Sequence, residues 1–427
     1  MASKRYSAWT IFRFLPFHLK FLYFLFCLQY GLVVSILIVG LDIAALLAIK
    51  NTLTDVPGTH FFSTWDFASP RPCSAFAGVI CSLDDSSPNP TLRVTSLILG
   101  TGLSDSPGLA GSLSASLSNL TQLTQLVLYA GLVTGPIPPQ LGNLINLRVL
   151  SLTNNRLTGP IPASLSSLHN LHTLDLSFNQ LSGSIPPGIA HLDQLKVLIL
   201  ASNMLSGELP KFPASQELFH IDVKRNKIWG RLPSSMPVSV RYLSVSENRM
   251  WGPINGLESL SELVYLDLSM NQFSGPIPKS LFHSRLNSML LQRNNFSGGV
   301  PTDASSTSYA QGSIVDLSHN LLTGELSPIL AGVETLFLNN NRLIGRVPDE
   351  YVNSISRGDT KTLYLQHNYI SDFPMQSGLA LPDSVSLCLS YNCMVPPVGL
   401  AACPASAGGQ LSRPAYECSV YNNGTAP

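Results

Sequence analysis

The sequence predicts a repeat solenoid, in which the chain coils turn upon turn around one continuous apolar lining. Two observations carry that expectation. The stretch LDLSFNQLSGSIP at residues 174–186 returns with small changes at 150–162 and 198–210, and again further on. With its asparagine as the register mark, the turns fall at Asn155, Asn179, Asn203, Asn226, Asn248, Asn271, Asn294, Asn320, Asn341, Asn368 and Asn392, in steps of 21 to 27 residues. Two earlier turns, centred on Leu97 and Leu126, keep the leucine pair but carry Gly102 and Gly131 where the asparagine would stand. Length alone would suggest about three domains at ~150 residues each, a prior that repeat arrays escape.

The first element is the N-terminal segment. Lys4, Arg5, Arg13 and Lys20 precede the run Phe21–Leu41, 21 residues without a charge. Such a run is an export signal. It is also long enough to span a bilayer, so residues 1–41 are expected to be a cleaved signal peptide or, alternatively, a retained signal-anchor. Either outcome places the remainder outside the cytosol, because the basic flank stays inside. Composition agrees: charged residues make up 12% of the chain, against roughly 25% in a typical soluble protein. The 25 basic and 25 acidic residues cancel, leaving no basic footprint for nucleic acid. After Asp42 no second apolar run approaches the ~18 residues of a membrane span, and the tail lacks the hydrophobic end that a GPI signal needs.

Cysteines fit the same compartment. Cys27 falls in the leader; Cys73, Cys81, Cys388, Cys393, Cys403 and Cys418 sit at the two ends, with none in the 306 residues between Cys81 and Cys388. They read as disulfide staples on the termini of an otherwise self-supporting array. Proximity pairs Cys73 with Cys81. The last four allow three connectivities, among which the sequence does not choose. A zinc site is disfavoured because no C-x2-C pair is present.

The repeat itself has a physical rationale. Two leucines two apart, such as Leu174 and Leu176, point to the same side of a short strand. One turn cannot cover its own apolar face, but stacked neighbours can, and each well-buried leucine then contributes roughly 1.5 to 3 kcal/mol. Where the chain bends after the strand, the asparagine amide supplies donors and an acceptor for backbone groups that would otherwise be stranded. Gly183 and its equivalents permit a bend that a side chain would obstruct, and Pro186 and its equivalents prevent a return to helix.

The pattern L-x-x-L-x-L-x-x-N at a period in the twenties resembles the leucine-rich repeat. LTGPIP, LSGSIP, LSGELP, FSGPIP, FSGGVP and LIGRVP follow L-x-G-x-I-P, which resembles the plant-specific class, in which a second short strand often follows the first. The segment LDIAALLAIKNTLTDVPGTHFFSTWDFASPRPCSAFAGVIC resembles the plant N-terminal cap, with Phe76 where many members carry tryptophan. SLCLSYNCMVPP resembles the closing cap of secreted plant leucine-rich-repeat proteins that have no kinase domain. The resemblance implies a leucine-rich-repeat solenoid: a curved right-handed superhelix, a parallel β-sheet on the concave face, turns and 3-10 segments on the convex side, and a helical N-terminal cap. The expected organisation is a cap over residues 42–91, about 13 repeats over 92–395, and a C-terminal cap and tail over 396–427.

Function then depends on the exposed positions. Strand residues between the inward leucines are expected to face the concave side, stacked in columns about 5 Å apart. The candidates there are Tyr129, Phe178, Lys224, Arg225, Glu247, Met270, Arg293, His319, Phe337, Tyr364 and His367. Aromatic and Arg residues most often carry interface energy, which makes this face the first binding candidate. Asp175, Asp222, Asp267 and Asp316 share one column, but L-D-L is a common filling of the repeat, so a structural role is preferred to cation binding. Trp229 and Trp251 occupy the slot before the repeat glycine, one turn apart, where other turns place Ser or Thr. They are expected either to grip a sugar or apolar partner, or to pack on each other and the adjoining turn. Sequons stand at Asn119, Asn295 and Asn423, and Arg357, Gly358 and Asp359 form a triplet too short to support an adhesion role.

No catalytic signature is present, and neither a cofactor nor a metal is expected. The expected function is extracellular recognition, in the apoplast or cell wall or at a plasma membrane held by the uncleaved anchor. The expected partners are a peptide or protein ligand and a membrane co-receptor, with wall polysaccharide or a pathogen enzyme as further candidates. Inhibition of a wall-degrading enzyme, as in polygalacturonase inhibitors, and a structural wall glycoprotein are the alternatives.

Overall fold

The computed structural model describes residues 38–68, 71–85, 90–102, 108–283, 285–301, 309–374, 384–395, 403 and 411–422; the leader through residue 37 and the sequon at Asn423 lie outside them. Alternation along each short strand sorts its side chains. In Thr173–Asp175, Leu174 is fully buried while the residues on either side are half-buried, and Leu176 beyond the strand is again fully buried. Turns stack these leucines in register, Leu150 beside Leu174, Leu198 and Ile221. The result is a fourteen-stranded sheet. Its first strand, Val79–Asp84, runs antiparallel to Thr91–Leu99, and every later strand pairs in parallel with the turn before it.

The asparagines close each turn from inside. Asn179 donates through Nδ2 to the carbonyls of Leu152 at 2.8 Å, Leu176 at 3.2 Å and Ser177 at 3.1 Å, and its Oδ1 accepts from the Leu157 amide at 3.0 Å. Each amide thus ties its own turn to the preceding one. Among the described residues, the eleven non-glycine ones with left-handed backbone are Asn154, Phe178, Ser202, Arg225, Glu247, Met270, Arg293, His319, Asn340, His367 and Tyr391, each directly before a ladder asparagine. That conformation costs an L-residue roughly 1–2 kcal/mol. The amide bonds hold the chain there against this cost. In the turn of Gly131 a Cβ would lie 2.6 Å from the Leu109 carbonyl oxygen and 3.2 Å from Asn155 Oδ1. A side chain does not fit, and Asn155 reaches back to the Tyr129 carbonyl instead.

After the asparagine, second strands such as Arg156–Pro160 and Gln180–Gly183 form a six-stranded sheet ending at Met204–Leu205 and a seven-stranded one beginning at Trp229–Gly230. Five-residue 3-10 segments, including Pro139–Asn143 and Ala163–Ser167, cover the outer side. One turn departs from the expected pattern. Between Asn341 and Asn368, the longest step of the array, an α-helix, Asp349–Arg357, replaces the 3-10 segment. Pro348 precedes it, acidic Asp349 and Glu350 suit its N-terminus, Tyr351 and Ile355 are buried one turn apart, and Gly358 ends it in left-handed backbone. The Arg357–Gly358–Asp359 triplet is therefore a helix terminus, with Arg357 and Asp359 paired to each other at 2.8 Å.

Caps seal both ends of the lining. Helix Gly40–Thr52 buries Ala45, Leu46 and Ile49. Its fully buried Asp42 accepts two bonds from Arg93 at 3.0 Å and one from the Val94 amide at 2.9 Å, fastening the helix to the first repeat strand. Phe76 stacks on Trp65, centroids 5.2 Å apart, and Cys73 is bonded to Cys81. At the other end, where the sequence leaves the pairing open, Cys388 joins Cys403 and Cys393 joins Cys418. Arg413 lies over the rings of Tyr369 and Tyr391 at 4.1 and 4.6 Å and donates to the Asn368 carbonyl, covering the last turns.

Candidate recognition surface

The expected concave residues fall into three registers. Only Phe337 and Tyr364 lie between two inward residues on a strand, with rings edge to face at 5.1 Å. Tyr129 and Lys224 lie one residue past the second inward position, and Lys224 is paired with Asp222 at 3.3 Å. The remaining seven, Phe178, Arg225, Glu247, Met270, Arg293, His319 and His367, share the left-handed slot before the asparagine. These residues lie beyond the ends of their strands, in the bend before the asparagine. Phe178 and Met270 are 47% and 49% exposed there, and Arg225 pairs with Glu247 on the next turn at 3.2 Å.

The centre of the face belongs to a column outside that set. His220, Tyr242 and Tyr265 open three successive strands and pair in register. Their rings stack, His220 on Tyr242 at 4.1 Å and Tyr242 on Tyr265 at 4.3 Å with only 2° between the tyrosine planes. The same column holds Val149, Thr173 and Val197 in earlier turns and Ser288 in the next. One residue before the column, Lys196, Phe219 and Arg241 supply cations and an exposed ring, Phe219 being 40% exposed. Burial, with Asp222 nearby, pushes the Tyr242 phenol up, and burial with Asp267 does the same for Tyr265, so both remain neutral hydrogen-bonding groups. Burial holds His220 below the usual imidazole range despite Asp222. The surface is thus a neutral aromatic ladder with Lys196 and Arg241 on one side and Asp222 and Asp267 on the other. Its signal in the sequence is three rings one residue before successive inward leucines or isoleucine.

Hydrogen bonds occupy the aspartate column. Asp175 accepts from the Ser177 amide at 3.0 Å and its hydroxyl at 2.6 Å, and Asp267 does the same with Ser269 at 3.1 and 2.6 Å. Asp316 accepts from the Ser318 amide at 2.9 Å and Asp222 from the Lys224 amide at 3.1 Å. These carboxylates close the ends of strands. A cleft of about 640 Å³ lies far along the array, lined by Tyr309, Glu334, Arg357, Asp359 and Lys361. Four of its charged groups are paired, Glu334 with Lys361 and Arg357 with Asp359, while Glu350 also lines it; the concave ladder, with three rings stacked in register, is the stronger candidate. Asn119 and Asn295 are both exposed.

Residues 40–82 match the family described as "Leucine rich repeat N-terminal domain", and residues 145–205 and 262–284 match leucine-rich-repeat families. The chain carries leucine-rich repeats behind a leucine-rich-repeat N-terminal domain. Among solved structures, this leucine-rich-repeat protein is similar to PEPR1 in its complex with AtPEP1, at 27% identity and TM-score 0.65, over 83% of this chain and 52% of that one. The plant peptide hormone receptor RGFR1 in complex with RGF2 matches at 27% identity and TM-score 0.53, over 67% of this chain and 54% of that one. A plant ice-binding protein matches at 26% identity and TM-score 0.53, over 82% of this chain and 98% of that one. The chain spans about half the length of the receptor structures it matches. No curated protein sequence matches it significantly.

Proposed function

We propose that this protein recognises an extracellular peptide or protein ligand along its concave face, centred on His220, Tyr242 and Tyr265. The observation that carries the reading is the aromatic stack itself. Three turns of one array set rings where neighbouring turns set Val, Thr or Ser, and the rings add nothing to the leucine lining. Half-buried aromatic rings held in a stack give large contact area at low entropic cost, and cations beside them add directional bonds. Similarity to receptor structures solved with peptide ligands supports this class of ligand. The bend residues Phe178, Met270 and Arg293 extend the contact, and a membrane co-receptor in the apoplast carries the signal onward.

Affinity capture from plant extracellular fluid tests the reading, with the wild type compared to a Tyr242→Thr variant, which installs the residue of the Thr173 turn. A ligand retained by the wild type and lost from a variant with unchanged melting supports it. Equal capture by both proteins removes the ladder from the site. Potent inhibition of a fungal polygalacturonase by the wild type would replace the signalling role with an inhibitory one.

A further inference from the structure

A second surface departs from the repeat and takes no part in the concave site. Trp229 and Trp251 occupy equivalent slots on adjacent second strands, where the regular turns place Thr134, Thr158, Ser182 and Ser206. They are 49% and 43% exposed and make no ring contact with each other among the described residues. The indoles do not pack face to face as a mutual cover. Arg231 lies over one of them instead, its guanidinium carbon 4.8 Å from the Trp251 ring, and its stem crosses Gly252, where a Cβ would come within 3.2 Å of it. Lys227 and Arg249, both exposed, stand two residues before the two tryptophans and form no ion pair among the described residues. The acid nearest in the pattern is Glu208, whose side chain lies across Gly230. Cations exceed acids on this face.

We infer that this patch, on the second sheet, binds a linear anionic polysaccharide with carboxylates on its rings, of the polygalacturonate class. A pyranose offers a flat face of C–H bonds that an indole covers, while Lys227, Arg231 and Arg249 meet carboxylates, Arg231 with its fork oriented by the indole beneath. In register Trp229 lies opposite Arg249 rather than Trp251, and Arg231 lies over Trp251, so a cation stands beside each indole, the pairing of flat ring with positive charge that a carboxylated sugar unit meets.

Binding of a polygalacturonate oligomer, a neutral glucan oligomer and polyglutamate is to be measured on three proteins. These are the wild type, Trp229→Ser with Trp251→Ser, and Lys227→Gln with Arg249→Gln. The serines are the residues that regular turns carry in those slots. The wild type is expected to bind polygalacturonate in a salt-sensitive manner, and each double variant to lose about tenfold or more in affinity. Glucan and polyglutamate are expected to bind more weakly than polygalacturonate. The inference is overturned if the wild type does not bind polygalacturonate or binds polyglutamate equally well. Unchanged affinity in a tryptophan variant that melts like the wild type also overturns it. Should that variant fail to fold, the charge variant decides by the same criterion. Tyr242→Thr leaves this binding intact, which separates failure here from failure of the concave reading.

Discussion

The turns from Leu132 to Leu205 and those from Lys227 to Met270 share one interior and differ in surface. Both bury a leucine-class residue at every inward slot and close every bend with an asparagine: Asn179 in the first region and Asn248 in the second make the same pattern of carbonyl bonds and each accepts one amide bond from the neighbouring turn. The first region fills its concave column with Val149, Thr173 and Val197 and its second-sheet slots with Thr158 and Ser182. The second puts Tyr242 and Tyr265 in the column, with His220 just before them, and Trp229 and Trp251 in the slots. All of these rings lie outside the leucine lining, which is complete without them. What differs between two equally well-buried regions is therefore what they present to partners.

The largest expected effect is one that must not distinguish the two regions. Leu174→Ala and Leu243→Ala should each cost about 2–5 kcal/mol by denaturant unfolding, because each empties a fully packed inward slot. A loss confined to one region would show that the linings are not equivalent. Asn179→Ala and Asn248→Ala should follow at about 1–3 kcal/mol each, through backbone groups left unpaired in the bend. The comparison sharpens when the surface is exchanged: replacing Tyr242 by Thr should abolish ligand capture while shifting the melting midpoint far less than either leucine change.

Acidification should act through the histidines. Burial holds His220, His283 and His319 below their ordinary value of 6.5. The unfolded chain then binds more protons than the folded one, so stability is full above about pH 6.5 and falls as pH drops through that value. Thermal midpoints measured between pH 7 and 5 should decline, and His220→Gln should lessen the slope. Asp316 works in the opposite sense at lower pH. Burial raises its carboxyl, so its contribution is most favourable below the carboxylate range and is lost as pH rises through it. The smallest effect belongs to the left-handed slot: Met270→Gly should be neutral or stabilise by up to about 1 kcal/mol, and Met270→Val should destabilise.

The leucine lining and the asparagine bends were legible in the sequence because they follow from local chemistry repeated many times. Leucines two apart define a strand face, and an amide at one offset in eleven turns has to meet the same backbone groups each time. The surface was harder to read. Phe178, Arg293 and their equivalents stand in left-handed backbone beyond the strand ends instead of on the strands, and nothing in the identity of those residues signals it. His220, Tyr242 and Tyr265 come one residue before the first inward position of their strands, and their importance lies in stacking across turns, a relation between residues more than twenty apart. The helix at Asp349–Arg357 was hidden for a similar reason, since an insertion in one turn has no second copy to reveal its pattern.

Hydrogen exchange on the protein with and without its captured ligand tests the central claim most directly, because it reports which strands the ligand covers. The account predicts slowed exchange across Val197–Ile199, His220–Asp222, Tyr242–Ser244 and Tyr265–Asp267, with the outer 3-10 segments unchanged. Protection confined to those outer segments, or spread evenly along the array, would contradict it.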